Sequence, residues 1–493
     1  MREILRASLI SSGGFLAAML LGAATVKILA TLLGPAGMGL FALLRQTHQT
    51  SVTLASFGGQ NTLAQGIASR RDAGGVGAYV LYLGLALLGT GLLLAVGMLL
   101  LSPLAVHLFP TSMALHAPGL ARWLVVPILL GLLLVFLNGL LTAWRDVTGL
   151  SIAQFVDAVI MLLLAWPAAK LVQMDHPEAL VALMATALFG GVLVGALRAR
   201  IRGYLAEVRS AWRTGPRVLN LREVLAFPLS ALAVSGIGTA TLLAVRALLS
   251  RHLTLASGGL FDTAWSLSQM YVWILLASLT TWYLPTLARM DQASERGALI
   301  ARFLRYAVGV TTPAVIGLSV LKPLVVRLLF SEDFLPAIGL WRWLLLSDYL
   351  RATSWVLAMA AFARGDMRPY LGAELVWNLG FLASAFLAIR MGSLEPVGVG
   401  LLVLHVGYLA WFLRYARRRH AFRPDVSLVV RWGLGLAGLG LAARLCWDDR
   451  FVGALDVLIC LSLAGLSLAL APTRGEWTRM RDQVVRFVRG RSA

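Results

Sequence analysis

Apolar stretches bounded by charge, glycine and proline follow one another along nearly the whole chain, with none of the period-two alternation of a half-buried strand. Fourteen are read, over residues 9–33, 37–67, 77–102, 119–143, 150–173, 178–197, 224–250, 259–288, 303–321, 336–362, 370–391, 397–413, 427–445 and 452–471. About 20 apolar residues are enough for a helix to cross the hydrocarbon of a bilayer. A segment in lipid must satisfy its own backbone hydrogen bonds, so such runs become helices. The pattern therefore predicts an all-α integral membrane protein with about 14 transmembrane helices. A cleaved signal peptide does not fit residues 1–33: the apolar stretch is too long, Lys27 interrupts its far end, and no small-residue cleavage site follows.

Composition strengthens this reading. The chain is 59% hydrophobic and 13% charged, against roughly a quarter charged in soluble domains. Two cysteines, Cys446 and Cys460, exclude a disulfide scaffold. The net charge of +20 does not point to nucleic acid, because the basic residues lie between apolar runs. With the N-terminus in the cytoplasm, alternation puts 28 of the 43 Lys and Arg on the cytoplasmic side, eight on the other and seven within spans. Such a bias sets orientation, so both termini are expected in the cytoplasm. The outer connections are short, the longest being about Pro103 to Gly119. That leaves no extramembrane domain for a glycan polymerase or ligase.

The chain also repeats itself. Residues 26–49, VKILATLLGPAGMGLFALLRQTHQ, align with 245–269, VRALLSRHLTLASGGLFDTAWSLSQ, after a one-residue insertion. Val26-Lys27 falls on Val245-Arg246, Gly39-Leu40-Phe41 on Gly259-Leu260-Phe261, and Gln49 on Gln269. The copies lie six predicted helices apart and so share one orientation, a plan common among transporters.

Lys27, Arg45, Arg246, Arg342 and Arg351 are read as lying inside spans, where a charge at the helix centre costs on the order of 2.5–3.5 kcal/mol on insertion scales. Asp157, Asp262, Asp348 and Glu374 are the acids accompanying them. Asp348 and Arg351, at i and i+3, are placed to neutralise each other. Lys27, Arg45 and Arg246 have no acid at i±3 or i±4, so snorkelling to the surface is the alternative for them, and Gln49 shares a face with Arg45. Guanidinium groups donate paired hydrogen bonds to phosphate and stay charged. The expectation is a central basic chamber for a phosphate- or pyrophosphate-bearing substrate. Lys27, Arg45, Gln49, Arg246, Gln269 and Arg351 would line it, and Asp348, Glu374 and Asp157 are candidate ion-coupling groups. No lysine follows glycine, no HxxxH or CxxC pair occurs and Gly-x-Ser-x-Gly is absent, so neither metal nor cofactor is expected and transport would be passive or gradient-driven.

Five segments resemble one family. They are Lys27 through Gly34-Pro35-Ala36-Gly37-Met38-Gly39-Leu40-Phe41 with Arg45-Gln46, Asn138 through Trp144-Arg145-Asp146, Tyr283 through Arg289, Asp348-Tyr349-Leu350-Arg351 and Ala373-Glu374. Together they are similar to Wzx-type polysaccharide (O-antigen and lipid III-like) flippases of the multidrug/oligosaccharidyl-lipid/polysaccharide exporter superfamily, from about residue 5 to 420. The resemblance implies two six-helix lobes about a central cavity and carriage of undecaprenyl-pyrophosphate-linked oligosaccharide to the periplasmic leaflet of the bacterial inner membrane. Lys27, Arg45, Arg246 and Arg351 match the family's cationic cavity positions. The chain departs from the twelve-helix relatives by two helices after residue 424. The lipid II flippases of the superfamily have fourteen, and the branch stays open between the two.

The domains expected are an N-lobe at 1–205, a C-lobe at 206–423, and an extra helix pair with a basic cytoplasmic tail at 424–493. One lobe would rock against the other about glycine turns at Gly34, Pro35, Gly37 and Gly39 and at Gly258 and Gly259. The expected partners are the lipid-linked glycan, membrane lipids, and polymerase and chain-length proteins of the same pathway. The rival readings are a multidrug cation antiporter, which needs a cavity of acids and aromatics, and a membrane glycan polymerase or ligase.

Overall fold

A computed structural model describes residues 2–57, 59–68, 76–107, 109, 113, 115–206, 209, 221–447 and 453–470. The arginines expected in the cytoplasm at positions 70, 71, 213 and 217 and after residue 470 lie outside the described residues, as does most of the outer connection between 108 and 114. All regular structure among the described residues is helical. Fifteen α-helices are described: α1 Arg2–Ala55, α2 Gln60–Ala68, α3 Val76–Leu100, α4 Ala117–Trp123, α5 Val125–Ala143, α6 Val147–Gln173, α7 Glu178–Ile201, α8 Leu221–His252, α9 Leu255–Arg289, α10 Ala293–Leu329, α11 Ala337–Ala363, α12 Met367–Met391, α13 Glu395–Arg419, α14 Val426–Leu445 and α15 Ala454–Leu470. Nine stretches of helix among the described residues are long and apolar enough to cross a membrane. Leu88, Leu93, Leu100 and Leu163 are each more than half exposed, as side chains solvated by lipid would be.

The chain forms two compact units, one of residues 1–262 with 328–333, the other of 263–327 with 334–493. In the first, α1 is two helices meeting at Gly34 (φ 62, ψ −171). Glycine takes that left-handed φ without a Cβ clash, and Pro35, which lacks an N–H, starts the second segment. The continuous helix predicted over 37–67 is interrupted where Phe57 (φ 50) and Gly59 (φ 80) leave the helical region, and α2 resumes after it. The α1 segments pack on α5, α6 and α8, and α7 packs on α5 and α6.

One end of this unit is tied together by Asp146. It caps α6 through the Gly149 amide at 3.0 Å and accepts both Arg198 nitrogens, at 2.7 and 3.1 Å, and the Tyr204 hydroxyl at 3.3 Å. Burial pushes the Asp146 carboxyl up, but the Arg198 fork and the Gly149 amide outweigh it and hold it below its ordinary value.

The second unit is built around Tyr283, Leu287, Ile300, Phe303, Val356, Leu357 and Phe412. At one end Arg296 donates to the Met290 and Asp291 carbonyls and to His420 Nδ1 at 3.0 Å, and Tyr415 donates to Asp366. Burial and the adjacent Arg296 lower the His420 imidazole to about 4. At the other end Lys322 reaches the Cys446 carbonyl at 2.7 Å, Arg342 reaches Glu395 at 2.6 Å, and Arg342 lies over the Trp447 ring. The first set joins the start of α10 to the ends of α11 and α13, the second the start of α11 to the start of α13 and the end of α14. Successive helices of this unit therefore run antiparallel.

Candidate functional site

The repeated segments meet inside the first unit. A Cβ on Gly39 would lie 2.0 Å from the Leu255 carbonyl oxygen, and one on Gly259 would lie 2.0 Å from the Pro35 carbonyl oxygen. Residues 35 and 39 occupy in one copy the places of 255 and 259 in the other, so the contact is reciprocal and glycine is required on both sides. The expected glycine turns take a different form. Only Gly34 is in a turn conformation; Gly37, Gly39, Gly258 and Gly259 are helical. Small residues there serve close helix crossing, which explains why they resemble turn residues in sequence.

Nearly two helical turns further along α1, Arg45 meets the start of α9. Its Nη2 is 3.3 Å from Asp262 Oδ2, its guanidinium lies over the Phe41 ring, and its side chain is 32% exposed. Arg246 of α8 is buried and donates both to the other oxygen of Asp262 and to Gln46 Oε1. The Gln46 amide in turn donates to Thr50 at 3.1 Å and to the Thr239 carbonyl at 3.3 Å. Two guanidinium groups thus share one carboxylate, which leaves one net positive charge, and the Nε of each is buried without a hydrogen-bond partner. Arg45 lies about 16 Å along the helix from Gly34, at 1.5 Å per residue, within the apolar stretch Leu16–Ala55. Gln49 is exposed one turn further on.

The other cations and acids predicted for the chamber are distributed differently. Lys27 donates to the Phe330 carbonyl, just beyond the end of α10, where a cation meets a helix C-terminus. Asp157 on α6 has a buried Oδ1 without a partner. Gln269, Arg351, Asp348 and Glu374 come together in the second unit around a cavity of about 210 Å³. Arg351 donates to Gln269 at 2.7 Å and lies 3.7 Å from Asp348 Oδ1, the sequence-local pair. Asp348 Oδ2 also accepts from Ser268 at 2.5 Å and Tyr271 at 2.6 Å. Glu374 accepts from Tyr408 at 2.7 Å, and His405 pairs with Ser347 at 2.7 Å. Trp265, Trp355 and Trp377 complete the wall.

Sequence reasoning missed Gln46, Tyr271, His405, Tyr408 and the three tryptophans. Their signal was a polar or aromatic residue on an otherwise apolar helix, which in isolation reads as ordinary packing. Among the described residues no three His, Cys, Asp or Glu side chains are grouped to hold a metal.

Comparison with known proteins agrees with this architecture. The profile of a family described as Polysaccharide biosynthesis protein matches residues 28–339. The lipid III flippase of Escherichia coli (strain K12) is 26% identical over 391 residues, covering 76% of this chain and 88% of the relative. In fold, the chain is similar to an inward-facing multidrug resistance MATE family transporter of the MOP superfamily, with a TM-score of 0.66 and 15% identity over 81% of this chain and 95% of that one. It is similar to the lipid II flippase MurJ in an inward closed conformation, with a TM-score of 0.65 and 11% identity over 94% of this chain and 98% of the other. The last match is so extensive that it must run past residue 424, into the added helices. The chain is a polytopic membrane protein with the fold of these solved structures, and it belongs to the family described as Polysaccharide biosynthesis protein.

Proposed function

We propose that the protein moves undecaprenyl-pyrophosphate-linked oligosaccharide from the cytoplasmic to the periplasmic leaflet of the bacterial inner membrane by alternating access, for surface polysaccharide synthesis. The observation that carries this reading is the pair Arg45 and Arg246 on the single carboxylate of Asp262. Arg45 is the weaker-held and partly exposed member, so a pyrophosphate can take its guanidinium while Asp262 keeps Arg246 neutralised. Arg351 and Gln269, beside the tryptophan-lined cavity, supply hydrogen bonds for glycan hydroxyls. The prenyl tail stays in lipid throughout, and no covalent bond is made or broken.

In this reading all fourteen predicted segments cross the bilayer and both termini are cytoplasmic. Residues 1–205 and 206–423 act as pseudo-symmetric lobes, and 424–493 form an accessory pair and tail. Lys27 joins the substrate path when its carbonyl contact opens. Asp348, Glu374 and Asp157 are the groups through which an ion gradient would act. Polymerase and chain-length proteins receive the delivered glycan.

The test is reconstitution. Purified protein in liposomes should move a fluorescent undecaprenyl-pyrophosphate glycan across the bilayer without altering it. Arg45→Ala should lower that rate at least tenfold and fail to complement a flippase-null strain, while remaining folded. Unchanged transport by Arg45→Ala removes the cation from the mechanism. The second reading, a multidrug cation antiporter, is favoured by the acids and tryptophans around the second unit's cavity. Proton- or sodium-driven export of ethidium with no movement of the glycan would establish it instead.

A further inference from the structure

A second basic site lies at the end of the second unit, away from the groups discussed above. The turn between α11 and α12 (Gly365, φ 70) and the last turns of α13 enclose a groove of about 680 Å³. Arg368, Arg414, Arg418 and Arg419 line it with Trp411. Its one acid, Asp366, is occupied by the Tyr415 hydroxyl and does not cap α12. Arg368, Arg414 and Arg418 are exposed and have no carboxylate partner among the described residues. Four guanidinium groups around one concavity repel each other unless an anion lies between them. The uncapped first turn of α12 favours the same sign of ligand.

The surface beyond the groove is built for acyl chains. Leu375, Val376 and Leu379 of α12 and Val403 and Val406 of α13 are all about half exposed or more. Val403 and Trp411 are eight residues apart, about 12 Å along the helix at 1.5 Å per residue. That distance fits a chain that fills one leaflet, half of a hydrocarbon core about 30 Å thick. Trp411, half exposed and held by its indole N–H to the Pro369 carbonyl, stands at the level where tryptophans mark the membrane interface.

We propose that this groove is a binding site for the headgroup of an anionic phospholipid, whose acyl chains lie against the exposed apolar side chains of α12 and α13. The guanidinium groups clamp the phosphate, Trp411 packs against the glycerol region, and the chains run along Leu375, Val376, Leu379, Val406 and Val403. The ligand is a resident lipid of the leaflet that the arginine bias assigns to the cytoplasm, and its binding does not depend on the transport cycle.

Native mass spectrometry of the purified, delipidated full-length protein tests this. Phosphatidylglycerol, phosphatidylethanolamine, undecaprenyl pyrophosphate and inorganic pyrophosphate are titrated separately. Phosphatidylglycerol should bind more tightly than phosphatidylethanolamine. Each arginine near an anionic headgroup contributes about 1 kcal/mol, so R414A/R418A should weaken the phosphatidylglycerol adduct about thirty-fold. R390A, at the opposite end of α12, should leave it unchanged, and both variants should melt as the parent does without lipid. Equal retention of the two phospholipids, or an adduct insensitive to R414A/R418A, overturns the proposal. So does inorganic pyrophosphate displacing the phospholipid at equal concentration, which would make the groove a site for a soluble anion. Tighter binding of undecaprenyl pyrophosphate that is lost in R414A/R418A also overturns it, in favour of a substrate-docking site.

Discussion

Replacing Gly39 by alanine tests the helix crossing that joins the repeated segments. The added methyl would lie 2.0 Å from the Leu255 carbonyl oxygen and 2.9 Å from the Gly259 nitrogen, whereas real Cβ contacts essentially never fall below 3.0 Å. The obstacle is backbone, so no rotamer change relieves it and the helices must part by about an ångström. Overpacking of this kind costs about 1–3 kcal/mol. Gly259→Ala meets the Pro35 carbonyl oxygen at the same 2.0 Å and should cost a similar amount. Gly258→Ala meets the Ser250 hydroxyl at 2.1 Å, which can rotate away, and the Ser250 Cβ at 3.2 Å, with no backbone atom below 3.4 Å, and should cost less.

The two clashes lie across one crossing, so separation forced by the first alanine makes room for the second. The double variant should then be destabilised by clearly less than the sum of the single effects. Thermal unfolding of the four variants in detergent, followed by tryptophan fluorescence, measures all of this. Melting of Gly39→Ala at the parent temperature, or strict additivity in the double variant, refutes the reciprocal contact.

Asp262→Asn should destabilise the protein by about 3–5 kcal/mol, because it strands the buried Arg246 without a counter-charge. Asp262→Asn with Arg246→Met should recover most of that loss in the same unfolding assay, and a silent Asp262→Asn would refute the pairing. Because His420 is lowered to about 4, the unfolded chain binds this proton first as pH falls. His420 should therefore cost stability between about pH 6.5 and 4 and have no effect above that range. His420→Asn should flatten the melting temperature over that window, and an unchanged slope would assign the acid sensitivity elsewhere.

The helices were legible because lipid leaves a backbone no partner but itself. A run such as 76–100 therefore announces its own conformation, and among the described residues helix covers the predicted stretches except for breaks at Phe57 and Gly59 and at Leu124, and for a few residues at stretch ends. The sites were legible only in part. Arg351 and Asp348 are three residues apart and were paired from their spacing. Arg45 and Arg246, which lack a local acid, are both served by Asp262, 217 residues from one and across a turn from the other. Lys27, expected to join them, instead reaches a carbonyl 303 residues away. The glycines of the repeat were recognised, but as turns rather than as the places where two helices touch.

Sequence by itself determined what is written within a single helix: membrane class, most helix positions, and the duplicated segment around Gly39 and Gly259. Tertiary structure decided which charges meet. A buried guanidinium takes whichever oxygen the fold brings within about 3 Å, and helix crossings bring such atoms together from positions far apart in the chain. One acid serving two cations, with Arg45 left partly exposed, is therefore a property of the crossing between α1 and the start of α9 rather than of any stretch of residues.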